Sequence, residues 1–134
     1  MGTAADIEVR GFVAHLSDPD KWTLTFPESY GIEDLDAFLA EFEGFIEARP
    51  TTDFRLLIDV RQVARSSSAT RRRIAAFFNS QGPHFETRCR AFALVVSSAL
   101  QRGAITTIFW LRPVGWNTKV FTSAQDAAVW LEQG

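Results

Sequence analysis

The sequence predicts an α/β fold: a single domain, residues 1–134, with one mostly parallel sheet, an N-terminal β-hairpin and the order β-β-α-β-α-β-α-β-α. Three observations carry this. Strict alternation of apolar residues over 22–26 gives way to helical spacing from Ile32 to Ile46. Two continuous apolar runs, Leu56-Leu57-Ile58 and Phe92 to Val96, have the composition of strands buried on both faces. Capping or turn residues separate each run from the next, as repeated strand–helix alternation with right-handed crossovers requires. The chain's 134 residues have the length of one domain, which buries roughly two-thirds of its unfolded surface.

The elements follow in order. Ile7 to Leu16 reads as a strand whose alternation changes phase, Ile7 and Val9 sharing one parity and Phe12, Ala14 and Leu16 the other. A β-bulge at Gly11 would bring all five onto one face. Ser17-Asp18-Pro19-Asp20 is turn chemistry, and Trp22-Thr23-Leu24-Thr25-Phe26 is the half-buried partner strand of a hairpin. Ile32, Leu35, Phe38, Leu39, Phe42, Phe45 and Ile46 form the apolar stripe of an amphipathic helix ended by Arg49-Pro50. Phe54 to Val60 is the central strand. The Ser66-Ser67-Ser68 triplet supplies an N-cap for a second helix with Ile74, Phe77 and Phe78 on its buried side, predicted to end before Gly82-Pro83. Phe92 to Val96 is the next buried strand, and Ser97-Ser98 open a third helix reaching to about residue 111. A strand from Trp116 to Phe121 leads into a last helix, with Ala124, Ala127, Ala128 and Leu131 as its stripe and Ser123 with Asp126 as a capping pair.

Composition narrows the function classes. Twelve Phe and four Trp against one Met and one Tyr predict an aromatic core. No apolar run approaches the roughly 18 residues of a membrane span, and Met1 to Arg10 lacks the order of a signal peptide, so a cytoplasmic location is expected. Cys89 is the single cysteine, which excludes an intrachain disulfide and a cysteine metal cluster. Arg88 and Arg90 beside it favour a thiolate, whereas its place at the head of an apolar strand favours a structural role. The net charge of −2 speaks against nucleic acid as a partner. The distribution is more informative: Glu28 to Glu47 holds seven acids and no base, while Arg55 to Arg73 holds six arginines and one acid, Asp59.

No catalytic, cofactor or metal site is predicted. Nucleophilic catalysis needs a base within reach of the nucleophile, but His15 reads as solvent-facing in the hairpin and His84 as a loop residue after Gly82-Pro83. No His, Cys or carboxylate pair shows ligand spacing, and no glycine pattern forms a phosphate loop. Asp59 stands at the carboxyl end of the central strand, where α/β sheets place functional groups. It reads either as such a group or as the acceptor for the turn that follows. Arg71, Arg72 and Arg73 cannot share a helix face, successive residues being about 100° apart. Arg71 is expected to flank the core with its stem, leaving Arg72 and Arg73 more exposed. They read as a solvated helix face or, with Arg61 and Arg65, as a patch for an anion or acidic partner.

This element order, the phrase Leu56-Leu57-Ile58-Asp59-Val60, the serine turn, and the ending Val120-Phe121-Thr122-Ser123 with Ala127, Ala128, Trp130 and Leu131 together resemble the STAS domain. The similarity spans residues 5–133 and lies nearer the anti-sigma-factor-antagonist-like (SpoIIAA-like) branch, often grouped with lipid-binding SEC14-type domains. In such antagonists the turn after the central strand carries an Asp-Ser-Ser-Gly-like motif whose serine is phosphorylated to switch partners. Here the turn is Val63-Ala64-Arg65-Ser66-Ser67-Ser68-Ala69, with Arg in place of the acid and Ala in place of the glycine, and both Ser66 and Ser67 align with the modified serine.

The resemblance and the charge segregation imply a non-enzymatic regulatory or scaffolding module that binds a protein partner through residues 65–73. Its candidate site comprises Asp59, Arg61, Arg65, Ser66, Ser67, Ser68, Arg71, Arg72 and Arg73. The alternative is an apolar-ligand or lipid-binding domain built on Phe77, Phe78, Phe85, Phe109, Trp110 and Trp116. Trp110-Leu111 and Trp116 around a Pro-Gly turn also suggest a homodimer contact.

Overall fold

The computed structural model describes residues 6–64, 67–97 and 117–133. These form β1 (Ile7–Val9), β2 (Phe12–His15), β3 (Lys21–Thr25), α1 (Ile32–Glu47), β4 (Phe54–Asp59), α2 (Ser68–Arg88), β5 (Cys89–Val95), β6 (Thr118–Phe121) and α3 (Ala124–Gln133). The strands make one sheet in sequence order, antiparallel from β1 to β3 and parallel from β3 to β6. The third predicted helix lies outside the described residues.

The first strand is divided where a bulge was expected. Arg10 and Gly11 both have positive φ, 51° and 91°, as a two-residue type I′ hairpin turn requires. A Cβ on Gly11 would also stand 3.2 Å from the Cβ of Pro27. Register Ile7↔Ala14 and Val9↔Phe12 puts both parities on one face, so the face assignment holds although the device that produces it is a turn.

Alternation in β4 and β5 then builds two unlike layers. Phe54, Leu56 and Ile58 with Phe92 and Leu94 join the core beneath α1 and α2, whereas Leu57, Ala91, Ala93 and Val95 meet Ala127 and Leu131 of α3. The first layer is aromatic: Phe12 stacks on Phe38 at 4.8 Å, Trp22 on Phe54 at 4.3 Å, and Phe85 meets Phe54 edge-on at 5.2 Å. Each fully buried ring of this kind contributes about 1.5–3 kcal/mol.

That packing explains why α2 does not stop at Gly82-Pro83. It runs through to Arg88 with Pro83 inside, placing His84 within the helix. Pro83 removes one helical hydrogen bond, but only continued helix carries Phe85 down to Phe54, Phe77 and Phe78, where it is fully buried. Tertiary burial overrides the local stop signal. The opening of α3 follows expectation on one side, the Asp126 N–H donating to Ser123 Oγ at 3.2 Å.

Candidate functional site

The carboxyl ends of the parallel strands are tied by backbone hydrogen bonds. Phe26 N–H donates to Asp59 O at 3.0 Å, Val60 N–H to Val95 O at 2.9 Å and Val96 N–H to Phe121 O at 2.8 Å. Asp59 extends from the end of β4 into this edge and is held by one residue: Arg61 donates from its backbone and Nε to Oδ1, both at 3.0 Å, and from Nη2 to Oδ2 at 2.7 Å. Burial pushes the Asp59 carboxyl upward, yet the side-chain and backbone hydrogen bonds from Arg61 outweigh it and hold the group below its ordinary value. Asp59 is thus the acceptor for its own turn. Arg61, expected to complete an open basic patch, is engaged by it.

The turn continues with Ala64 N–H donating to Glu28 O at 2.9 Å. Arg65 and Ser66 lie outside the described residues. Ser67 is the N-cap of α2: its Oγ accepts the Thr70 N–H at 3.1 Å, and Thr70 Oγ1 accepts the Ser67 N–H at 3.1 Å. This is a capping box with Thr in the place of the usual Glu or Gln. Thr70 is almost wholly buried, which fixes the box against the body of the protein. Ser68 begins the helix on the surface, within 3.4 Å of Arg71 Nη2.

The arginines that follow have separate fates. Arg73, expected to be exposed, is turned inward: Nε donates to Asp36 Oδ1 at 2.7 Å, and Nη2 lies 3.6 Å from Glu43 Oε1, both acids belonging to α1. The acidic and basic segments therefore neutralise each other in part across the α1–α2 contact. Arg71 is half-buried, as its position before Ile74 leads one to expect. Arg72 is exposed and makes no hydrogen bond or ion pair with any described residue. The first turn of α2 contains no acid, so among the described residues the positive end of the helix and Arg72 have no acidic partner at this edge.

The other candidates fall outside this site. His15 is exposed with Nδ1 3.0 Å from Asp6 Oδ2. Cys89 is buried, and burial pushes its thiol up to about 12. Arg88 and Arg90, the neighbours that would favour a thiolate, instead both bind Asp53. Phe77, Phe78 and Phe85 are packed in the core, while Phe109, Trp110, Leu111 and Trp116 lie outside the described residues. Among the described residues no His, Cys, Asp and Glu cluster is arranged to hold a metal ion, and no helix is long and apolar enough to cross a membrane.

Sequence reasoning did not find Thr70 as the second half of the cap, nor the cluster of Asp53, Arg88 and Arg90. Both had a signal: Thr70 is three residues from Ser67, and Asp53 and Arg90 flank the openings of neighbouring parallel strands, in register Phe54↔Cys89.

No family model matches the chain, and no curated protein matches it. Among solved structures it is similar to an uncharacterised protein of the DUF3478 family with a SpoIIAA-like fold from Shewanella loihica PV-4, at 19% identity and a TM-score of 0.62, over 97% of this chain and 99% of that one. The chain has a SpoIIAA-like α/β fold.

Proposed function

We propose that this protein is a non-catalytic regulatory module that binds an acidic surface of a protein partner at the start of α2. The observation that carries the reading is the uncompensated positive charge there: a helix N-terminus without an acid in its first turn, followed by exposed Arg72. Local rules favour Asp or Glu at such a position, and violations without a compensating gain within the fold mark functional positions. The cap itself is complete through Ser67 and Thr70, so Ser68 is spared from folding duties. A phosphate on Ser68 would meet the helix N–H groups and the nearby Arg71 guanidinium and would reverse the sign of the surface, giving a switch between partner-bound and partner-free states.

Affinity capture from native lysate tests this, using the wild type, Arg72→Glu and Ser68→Asp as baits. The reading expects a specific acidic protein retained by the wild type and lost from both variants. Equal retention by all three baits, or no specific retention, contradicts it.

A further inference from the structure

β4 is six residues long, so its two ends are about 17 Å apart. At the end away from Asp59, a recess of about 220 Å³ opens between Asp20, Asp53, Phe54, Arg55 and Arg90. Its lining mixes both signs, with two carboxylates and two guanidinium groups around Phe54, whose ring is buried in the core. A simple anion in it would meet the two acids, and a simple cation the two arginines. The volume lies below the roughly 300–1,000 Å³ of pockets for drug-sized ligands, which limits an occupant to a few heavy atoms.

The four charges are not equally engaged. Asp53 receives Arg88 Nη1 on Oδ1 at 3.1 Å and Arg90 on Oδ2, from Nη2 at 2.7 Å and Nε at 3.2 Å. Asp20 faces Arg55 only at 4.0 Å, beyond hydrogen-bond distance. The side chains of Asp20 and Arg90 are each 60% exposed, against 37% for Asp53 and 28% for Arg55. Arg90 places both of its bonds on one carboxylate oxygen and keeps Nη1 without a hydrogen bond among the described residues. One acceptor and one donor, of opposite charge and both open to solvent, thus remain in the recess.

We propose that this recess binds a small zwitterion of the α-amino-acid type, its carboxylate received by Arg90 and its ammonium by Asp20. The Asp53 clamp orients the Arg90 fork. The site is independent of the α2 start.

The test is a two-dimensional amide NMR titration of the full chain at fixed ionic strength, with glycine and L-leucine as probes and acetate and methylammonium as their separate halves. Saturable shifts are expected at Asp20, Phe54, Arg55 and Arg90 with at least one amino acid, and each half should bind at least about tenfold more weakly, as loss of a charged hydrogen bond implies. Arg90→Gln and Asp20→Asn, both at exposed side chains, should each weaken binding by about tenfold or more while leaving the remaining spectrum in place. Absence of saturable shifts at these residues with either amino acid overturns the proposal. So does acetate binding as tightly as the amino acids, or unchanged affinity in both variants.

Discussion

The two helices that share the aromatic core begin in opposite ways. At the start of α1, Glu33 and Asp34 lie in the first turn, Asp34 Oδ2 accepts the Gly31 N–H at 2.9 Å, and its Oδ1 is 3.2 Å from Arg10 at the hairpin turn. Negative charge there meets the positive end of the helix and is tied to a neighbouring element. At the start of α2 a neutral Ser67–Thr70 box does the capping, no acid follows, and Arg72 stands open. Both helices are capped, but among the described residues only the first has acids in its first turn to balance its positive end. The difference separates what folding requires from the surface that the proposed partner would use.

If the contrast is confined to the helix starts, the downstream anchors should behave alike. Phe42→Ala in α1 and Phe85→Ala in α2, both fully buried, should each cost about 3–5 kcal/mol in denaturant unfolding. A much smaller loss for Phe85→Ala would mean that α2 as a whole is loosely held. Next in size, Ser67→Ala should lose about 0.5–2 kcal/mol and Ser67→Asp should recover most of it. Charge swaps sharpen the contrast: Ser68→Asp should stabilise by about 0.3–1 kcal/mol by supplying the missing acid, while Glu33→Lys in α1 should destabilise by about the same amount. A destabilising Ser68→Asp would remove the claim that the α2 start carries surplus positive charge.

The smallest effect is a difference in pH response. The Gly31 backbone hydrogen bond, and after it Arg10, hold the Asp34 carboxyl below its ordinary value of 3.8. A depressed folded-state value adds stability that is present above 3.8 and lost as the pH falls through the lowered value. Amide exchange followed on acidification should therefore show the first turn of α1 fraying, while the Ser67–Thr70 cap, which has no titrating group, holds. Simultaneous fraying of both starts would contradict the assignment of their caps.

Much of this architecture is legible in periodicity. The alternation of 22–26, the stripe from Leu35 to Ile46 and the apolar runs of β4 and β5 specify their elements because burial pattern and element type coincide there. The failures arise where one local pattern fits two structures. A bulge at Gly11 and a turn at Arg10-Gly11 both bring Ile7 and Phe12 to one face, so alternation alone does not separate them. Gly82-Pro83 signals a stop that the burial of Phe85 overrides. Arg73 reads as part of an outward patch because its partners, Asp36 and Glu43, lie in a different element and become neighbours only through packing. Ser67 as a cap was legible among its serines, whereas the lack of a partner for Arg72 among the described residues emerges only after Arg61 and Arg73 have found theirs.

The central claim is that a partner docks on the first two turns of α2 and that the fold does not need the charge there. Hydrogen–deuterium exchange of the protein with and without its captured partner tests this most directly. Added protection is expected at residues 67–73, with little change at Phe77–Arg88 or at the α1 start. Protection confined to other elements, with 67–73 exchanging as in the free protein, would contradict it.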